Sequence, residues 1–227
     1  EEVQKVLRDE NEHCLRALVA LRGLSEELFS EMESHEKESD VSIPEVQPGG
    51  FAYYGRGARH LPYATHFRAQ VDAGGGSSGS RDVPQDVAKY ASAVGLKLVN
   101  EELLLDENQL NQHPNGELLP YLSVSGPENS PDHVMLAYAV EFEGNDSYQI
   151  RFRLAVSKSD AREDLAELRE TDGSIEWNFA GHAAIYYVGH DHEYRGCTVR
   201  SHMLGTPQSE DTVLFDEGDK RYSVSIC

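Results

Sequence analysis

The sequence predicts a mainly β chain entered through two α-helices, with its strands grouped as the first blades of an incomplete β-propeller. Three observations carry this expectation. Apolar residues recur at helical spacing from Val3 to Leu21, and a second helical stretch follows to about residue 38. After Gly50 they fall into short runs separated by turn residues. A strand-turn-strand phrase then recurs, and its two later copies start about fifty residues apart, in the range of propeller blades.

From Val3 to Leu21 the apolar side chains Val3, Leu7, Cys14, Leu18 and Leu21 form the stripe of an amphipathic helix, which Gly23 ends. Ser25 reads as the N-cap of a second helix, with Glu26 and Glu27 at the positive end of its dipole and Leu24 able to pack on Phe29. The Glu-rich face of that helix runs to Glu38, and Pro44 followed by Pro48-Gly49-Gly50 closes the helical region. The expected division is therefore a helical segment over 1–48 and a propeller segment over 49–227.

In the second segment the first phrase is Phe51-Ala52-Tyr53-Tyr54, a turn at Gly55-Arg56-Gly57, and a returning strand from Tyr63 to Gln70. The second runs from Val134 to Glu141, turns at Gly144-Asn145-Asp146 and returns over Tyr148 to Leu154 with the alternation of a half-buried strand. The third runs from Ile185 to Val188 and returns from Cys197 to Leu204. Trp177 is expected in the core of the strand that opens the third phrase, and the aromatic residues Tyr53, Tyr54, Tyr138, Tyr186 and Tyr187 repeat as sheet packing. The interval before the second phrase carries a Gly- and Ser-rich insertion at 73–80, read as a loop or linker. Tyr222 to Cys227 reads as a last apolar strand without a cap, as in a piece of something longer. Blades short of a full circle leave apolar faces and sheet edges open, so self-association or partial disorder is expected.

Composition narrows the function. Forty Asp and Glu against twenty Lys and Arg give a formal charge of −20, which repels nucleic acid; it reads first as a solvated acidic face and alternatively as one that concentrates cationic peptides. Three scattered cysteines, Cys14, Cys197 and Cys227, do not make a disulfide framework. No apolar run approaches the ~20 residues that span a bilayer, and residues 1–5 lack the features of a signal peptide. These features place the chain in the cytoplasm, with no membrane partner expected.

The chemical motifs are weak in context. Gly75-Gly76-Ser77-Ser78-Gly79 matches the nucleophile-elbow pattern G-x-S-x-G, but it lies in the Gly- and Ser-rich tract rather than between a strand and a helix. His190, His192, Cys197 and His202 offer zinc-type donors at unconvincing spacing, and Asp191 with Glu193 reads as a solvated turn. The sequence therefore assigns no catalytic, cofactor-binding or metal residue, and no cofactor.

Several phrases, in order, resemble the prolyl oligopeptidase family, and within it the oligopeptidase B type. They are Val6-Leu7-Arg8-Asp9-Glu10-Asn11-Glu12; Phe51-Ala52-Tyr53-Tyr54-Gly55-Arg56 with His60-Leu61-Pro62-Tyr63; Glu101 to Asn108; Ser130-Pro131-Asp132 with Leu136-Ala137-Tyr138; and Leu204-Gly205-Thr206-Pro207-Gln208-Ser209-Glu210-Asp211. The resemblance implies the first blades of a seven-bladed propeller that restricts entry of large substrates to an α/β-hydrolase domain. It also implies cleavage of short peptides after Arg or Lys. The catalytic Ser, Asp and His of the family lie downstream of the matched region, and the helices of 1–48 would pack on the hydrolase domain. A chain of this kind is expected to be inactive alone; the alternative is a truncated or degenerate homologue serving as a protein-interaction module.

Overall fold

The computed structural model describes residues 2–36, 39–72, 74, 81–113, 115–155, 167–179 and 184–226. The chain separates into two compact units, 1–40 and 41–227. The insertion at 73–80, Gly74 aside, lies outside the described residues, as do Glu38 and the elbow-like Ser77.

The first unit holds helix α1 (Glu2–Leu18), a 3₁₀ turn over Val19–Leu21, and α2 (Arg22–His35). Two helices are present as expected, but their junction differs. The second begins at Arg22, so Gly23 lies inside its first turn and Ser25 is not its N-cap. The 3₁₀ turn carries the chain from one helix to the next, with the Arg22 N–H bonded to the Val19 carbonyl. The Arg22–Glu26 pair at 3.0 Å then bridges the turn where the cap was expected. Glycine costs such a helix about 1 kcal/mol relative to alanine and does not stop it. No residue of either helix is buried within this unit.

The second unit opens with short strands β1 (Asp40–Val41) and β2 (Glu45–Gln47), then β3 (Phe51–Gly57) and β4 (Thr65–Val71). Helix α3 (Gln85–Ala93), strand β5 (Leu98–Asp106) and helix α4 (Glu107–Leu110) follow. These strands make an antiparallel sheet in which β3, β4 and β5 are successive neighbours and both β1 and β2 pair with β3. Alternation divides β3 between two cores. Ala52 and Tyr54 join Val87 and Ala91 of α3 on one face, while Tyr53 packs with Leu104 and Leu105 on the other. Helix α3 and β5 account for much of the long first interval, which the sequence reading assigned to an insertion.

The remaining strands are β6 (Ser123–Asn129), β7 (Met135–Glu141), β8 (Tyr148–Leu154), β9 (Glu167–Trp177), β10 (Ala184–His190), β11 (Gly196–Met203) and β12 (Thr212–Asp216). They pair antiparallel in the order β12-β11-β10-β9-β8-β7-β6. Strand β9 changes neighbour part-way. Glu167 and Leu168 pair with Arg151 and Ile150 of β8, whereas Ile175 and Trp177 pair with Tyr187 and Ile185 of β10. Thr171 faces both Tyr148 and Gly189. One long strand thus completes two four-stranded sets, the size of a propeller blade.

The two sets close on each other. Ala137 and Ala139 of β7, Phe152 of β8, and Ile175, Trp177 and Tyr187 from β9 and β10 share one cluster. The Trp177 indole N–H donates to the Glu128 carbonyl of β6 at 3.1 Å, so the end of β9 lies across the first set. Leu136, Tyr138 and Val140, the other face of β7, pack on Tyr53, Leu104 and Leu105 of the first sheet. The first sheet and the two sets are therefore stacked in sequence without closing a ring. Beyond them Val213, Leu214 and Phe215 of β12 are each half or more exposed, forgoing the ~1.5–3 kcal/mol that burial of such a side chain brings. The terminal stretch corrects one expectation: Tyr222 to Ile226 forms no strand. It is held instead by the Arg195 guanidinium on the Tyr222 carbonyl at 2.6 Å and by the Val224 N–H on Gly196.

Gly173 marks the joint in β9. Its φ is +89°, and a Cβ there would sit 3.0 Å from the Tyr148 ring. Gly173→Ala should lower stability by about 1–3 kcal/mol, through strain at positive φ and displacement of Tyr148. Chemical denaturation followed by fluorescence of Trp177, the single tryptophan, measures it.

Candidate functional site

The zinc-type donors do not converge. The His190 Nδ1–H donates to the Asp191 carbonyl at 2.8 Å, which leaves Nε2 to accept from the Ser147 hydroxyl at 2.8 Å. The Cys197 thiol points to the Gly189 carbonyl at 3.8 Å, and burial pushes its ionisation up. His202 is fully buried, stacked on Phe152 and bonded to Asp211 at 2.6 Å. Among the described residues, no three His, Cys, Asp or Glu side chains are grouped to hold a metal ion. Asp191 feels some burial, yet hydrogen bonds from the Glu193 and Arg195 N–H groups and the Arg195 guanidinium hold it below the usual carboxylate range. Glu193 pairs with Lys220 at 3.6 Å in the open.

Three of the phrases noted in the sequence contain turns whose side chains satisfy backbone and buried polar groups. In Ser130-Pro131-Asp132, the Ser130 hydroxyl donates to Asp132 and accepts from the Met135 N–H, folding the turn that launches β7. His133 follows at φ 60°. Its Nε2–H donates to the Pro48 carbonyl, so Nδ1 accepts from the Tyr53 hydroxyl at 2.6 Å. Arg68, 2% exposed, donates to the His133 carbonyl and to Glu102, with Phe51 under its guanidinium at 4.4 Å. At the end of β5, Asp106 caps α4 by accepting from the Asn108 N–H, and the Asn108 amide bonds both the N–H and the carbonyl of Tyr63.

The Leu204 to Asp211 phrase is a brace. Thr206 turns back on the Met203 carbonyl at 2.8 Å. The Gln208 amide then clamps both backbone groups of Arg169 in β9, at 3.1 and 2.9 Å. Asp211 accepts from Tyr187 at 2.7 Å and from His202 at 2.6 Å, tying β10 and β11 to the loop. Sequence reasoning matched this phrase without assigning Gln208 and Asp211 a role. The available signal was a pair of hydrogen-bonding side chains at fixed distances behind a Gly-Thr turn.

Within the helical unit, an apolar groove of about 850 Å3 is lined by Leu15, Leu18, Leu24, Leu28, Phe29 and Met32. Phe29 and Met32 are 67% and 69% exposed. Among the described residues, no helix is long and apolar enough to cross a membrane.

Residues 1–226 match the family description "Prolyl oligopeptidase, N-terminal beta-propeller domain". The chain belongs to the prolyl oligopeptidase family. Among prolyl oligopeptidase relatives, Protease 2 of Moraxella lacunata is 28% identical over 225 residues, which cover 99% of this chain and 29% of that protein. Dipeptidyl aminopeptidase BI of Pseudoxanthomonas mexicana is 29% identical over 227 residues, again 99% and 29%. Oligopeptidase B of Leishmania major superposes with a TM-score of 0.72 at 28% identity, over 97% of this chain and 27% of that one. Oligopeptidase B of Trypanosoma brucei, in a closed form with covalently bound antipain, gives 0.68 at 28% identity, over 98% and 27%. The chain spans less than a third of the length of these prolyl oligopeptidase relatives.

The Asp211 brace has a titration signature. Burial, then the hydrogen bond to Asp211, pushes the Tyr187 phenol from its ordinary value of 10.0 up to about 12. A pKa raised on folding contributes stability that is present below pH 10 and lost as pH rises towards 12. Tyr187→Phe should cost about 1–2 kcal/mol at neutral pH, because Asp211 loses a donor. The gap to the parent should narrow between pH 10 and 12, as measured by urea unfolding across that range.

Proposed function

We propose that this chain is the amino-terminal, non-catalytic portion of an oligopeptidase B-like serine endopeptidase of the cytoplasm, which cleaves short peptides after Arg or Lys. Its propeller gates access to a carboxy-terminal α/β-hydrolase domain that carries the Ser, Asp and His. The observation that carries this reading is the helical unit. Its two helices bury nothing among themselves, and isolated helices of this length are marginal in water. A face of Leu, Phe and Met that large marks an interface. In this reading the hydrolase domain covers it.

The relatives support the reading at 28–29% identity, and two of the matched structures are oligopeptidases B. The acidic composition suits basic peptide substrates. Cys14 and Cys197 are free thiols, consistent with a reducing compartment. The same groove also favours a second reading, a protein-interaction module without peptidase activity, in which another protein covers it.

Hydrolysis of short fluorogenic Arg and Lys peptides separates the two. The full-length product of the gene should cleave them and be stopped by a serine-reactive inhibitor, while the 227-residue chain alone stays inactive. Inactivity of both assigns the interaction module, and activity of the chain alone overturns both readings. Leu28→Glu provides a structural check. Leu28 is 48% exposed, so the substitution should change the stability of this chain by less than about 0.5 kcal/mol. It should nevertheless reduce capture of a separately expressed hydrolase domain by at least about tenfold, since a charge would be buried in the interface.

A further inference from the structure

The turn between β7 and β8 borders a polar cavity of about 270 Å3. Glu141 lines it and is 2% exposed. Its Oε1 accepts three backbone N–H groups, from Glu143 at 2.6 Å, from Gly144, and from Asn145 at 3.2 Å. Its Oε2 is buried with no hydrogen-bond partner. A carboxylate removed from water and compensated at one oxygen costs free energy until a donor meets the other.

The rest of the lining says what kind of donor. Glu143 and Glu170 stand at the cavity, and among the described residues no cation pairs with either of them or with Glu141. Arg169 also lines it, but its guanidinium is engaged by Glu167 at 3.0 Å. Glu170 occupies a bulge of β9 at φ 58°, where the register shifts against β8, and the Gln208 clamp on Arg169 holds that bulge in place. A second cavity of about 490 Å3 shares Ser147 and Glu170 with the first. It adds the rings of His190 and Tyr194, 5.3 Å apart. Carboxylates beside an aromatic wall are the chemistry that receives a guanidinium, which forks to a carboxylate and stacks on a ring.

We propose that these two cavities form one binding site for an arginine side chain of a peptide. Glu141 supplies the acceptor at the closed end, Glu143 and Glu170 neutralise the charge at the rim, and Tyr194 flanks the neighbouring peptide segment. The site lies on the propeller, and its occupancy is independent of whether the longer protein cleaves after basic residues.

The test is titration of the isotope-labelled 227-residue chain with an N-acetylated, C-amidated Gly-Arg-Gly peptide, read by amide NMR shifts. Its citrulline counterpart, of the same shape without the charge, runs in parallel. The arginine peptide should shift the amides of residues 141–147 and 169–171 and bind at least about tenfold more tightly than the citrulline peptide. Glu141→Gln keeps a carbonyl oxygen for the three turn amides, so the fold is retained, as unchanged Trp177 fluorescence would show. That variant and Glu170→Gln should each weaken arginine binding about tenfold, while Glu193→Gln, whose side chain pairs with Lys220, should not. Equal binding of the two peptides, shifts confined to other residues, or an equal loss in all three variants would overturn the proposal. Peptidase assays of the full-length protein report separately on the cleavage reading, so either can fail while the other stands.

Discussion

A strand that is apolar on both of its faces imposes the architecture. All seven residues of β7 are buried, with Leu136, Tyr138 and Val140 turned to one neighbouring sheet and Met135, Ala137 and Ala139 to the other. An antiparallel sheet with one wet face alternates apolar and polar residues, and β7 does not. It needs cover on both sides, so the sheet made by β3, β4 and β5 and the set completed by the far half of β9 must lie against it. Each of those layers meets the same requirement in turn, which is how stacking propagates around a propeller. Helix α3 ends the series at one side by covering the remaining face of the first sheet with Val87 and Ala91.

Stacked sheets leave their connecting loops with buried polar groups, and the recognisable phrases of the sequence solve that problem. Ser130 and Asp132 complete the backbone hydrogen bonding of the turn into β7, Asn108 pairs with both backbone groups of Tyr63, and Gln208 does the same for Arg169. His133 is the counterpart across sheets: both ring nitrogens and its carbonyl are engaged, by Pro48, Tyr53 and Arg68. Burial raises the ionisation of the Tyr53 phenol, with the Arg68 guanidinium pulling it part of the way back, so this contact joins neutral and charged groups in a dry setting. In this protein several of the phrases that resemble a peptidase family therefore hold neighbouring strands and sheets together.

Strands were the most legible part of the sequence. Tyr148 to Leu154 was bounded correctly because alternation there is strong, and Trp177 is core as its position in the third phrase implied. Helix α3 was missed because it follows a tract of Gly and Ser and fully buries only Val87 and Ala91. The helix junction was misplaced because Gly23 was read as a stop, when the preceding 3₁₀ turn had already reset the chain. Tyr222 to Ile226 alternates like a strand, yet Arg195 and Gly196 hold its backbone as coil. The polar cavity at Glu141 was invisible in sequence, since its parts come from β7, the following turn and a bulge in β9. Only pairing of β8 with β9 brings them together.

The shared strand β9 also bears on how such a molecule can be inherited. If each four-stranded set had its own strands, a single repeat could be duplicated, lost or exchanged between genes as a unit. Here Glu167 and Leu168 serve one set and Ile175 and Trp177 the next, with Thr171 facing both. A genetic breakpoint between repeats would cut this strand and strip an outer edge from one set and an inner edge from the other. Surviving rearrangements would have to break elsewhere, in the turns within a set, so that the unit copied in sequence is out of phase with the unit seen in the fold.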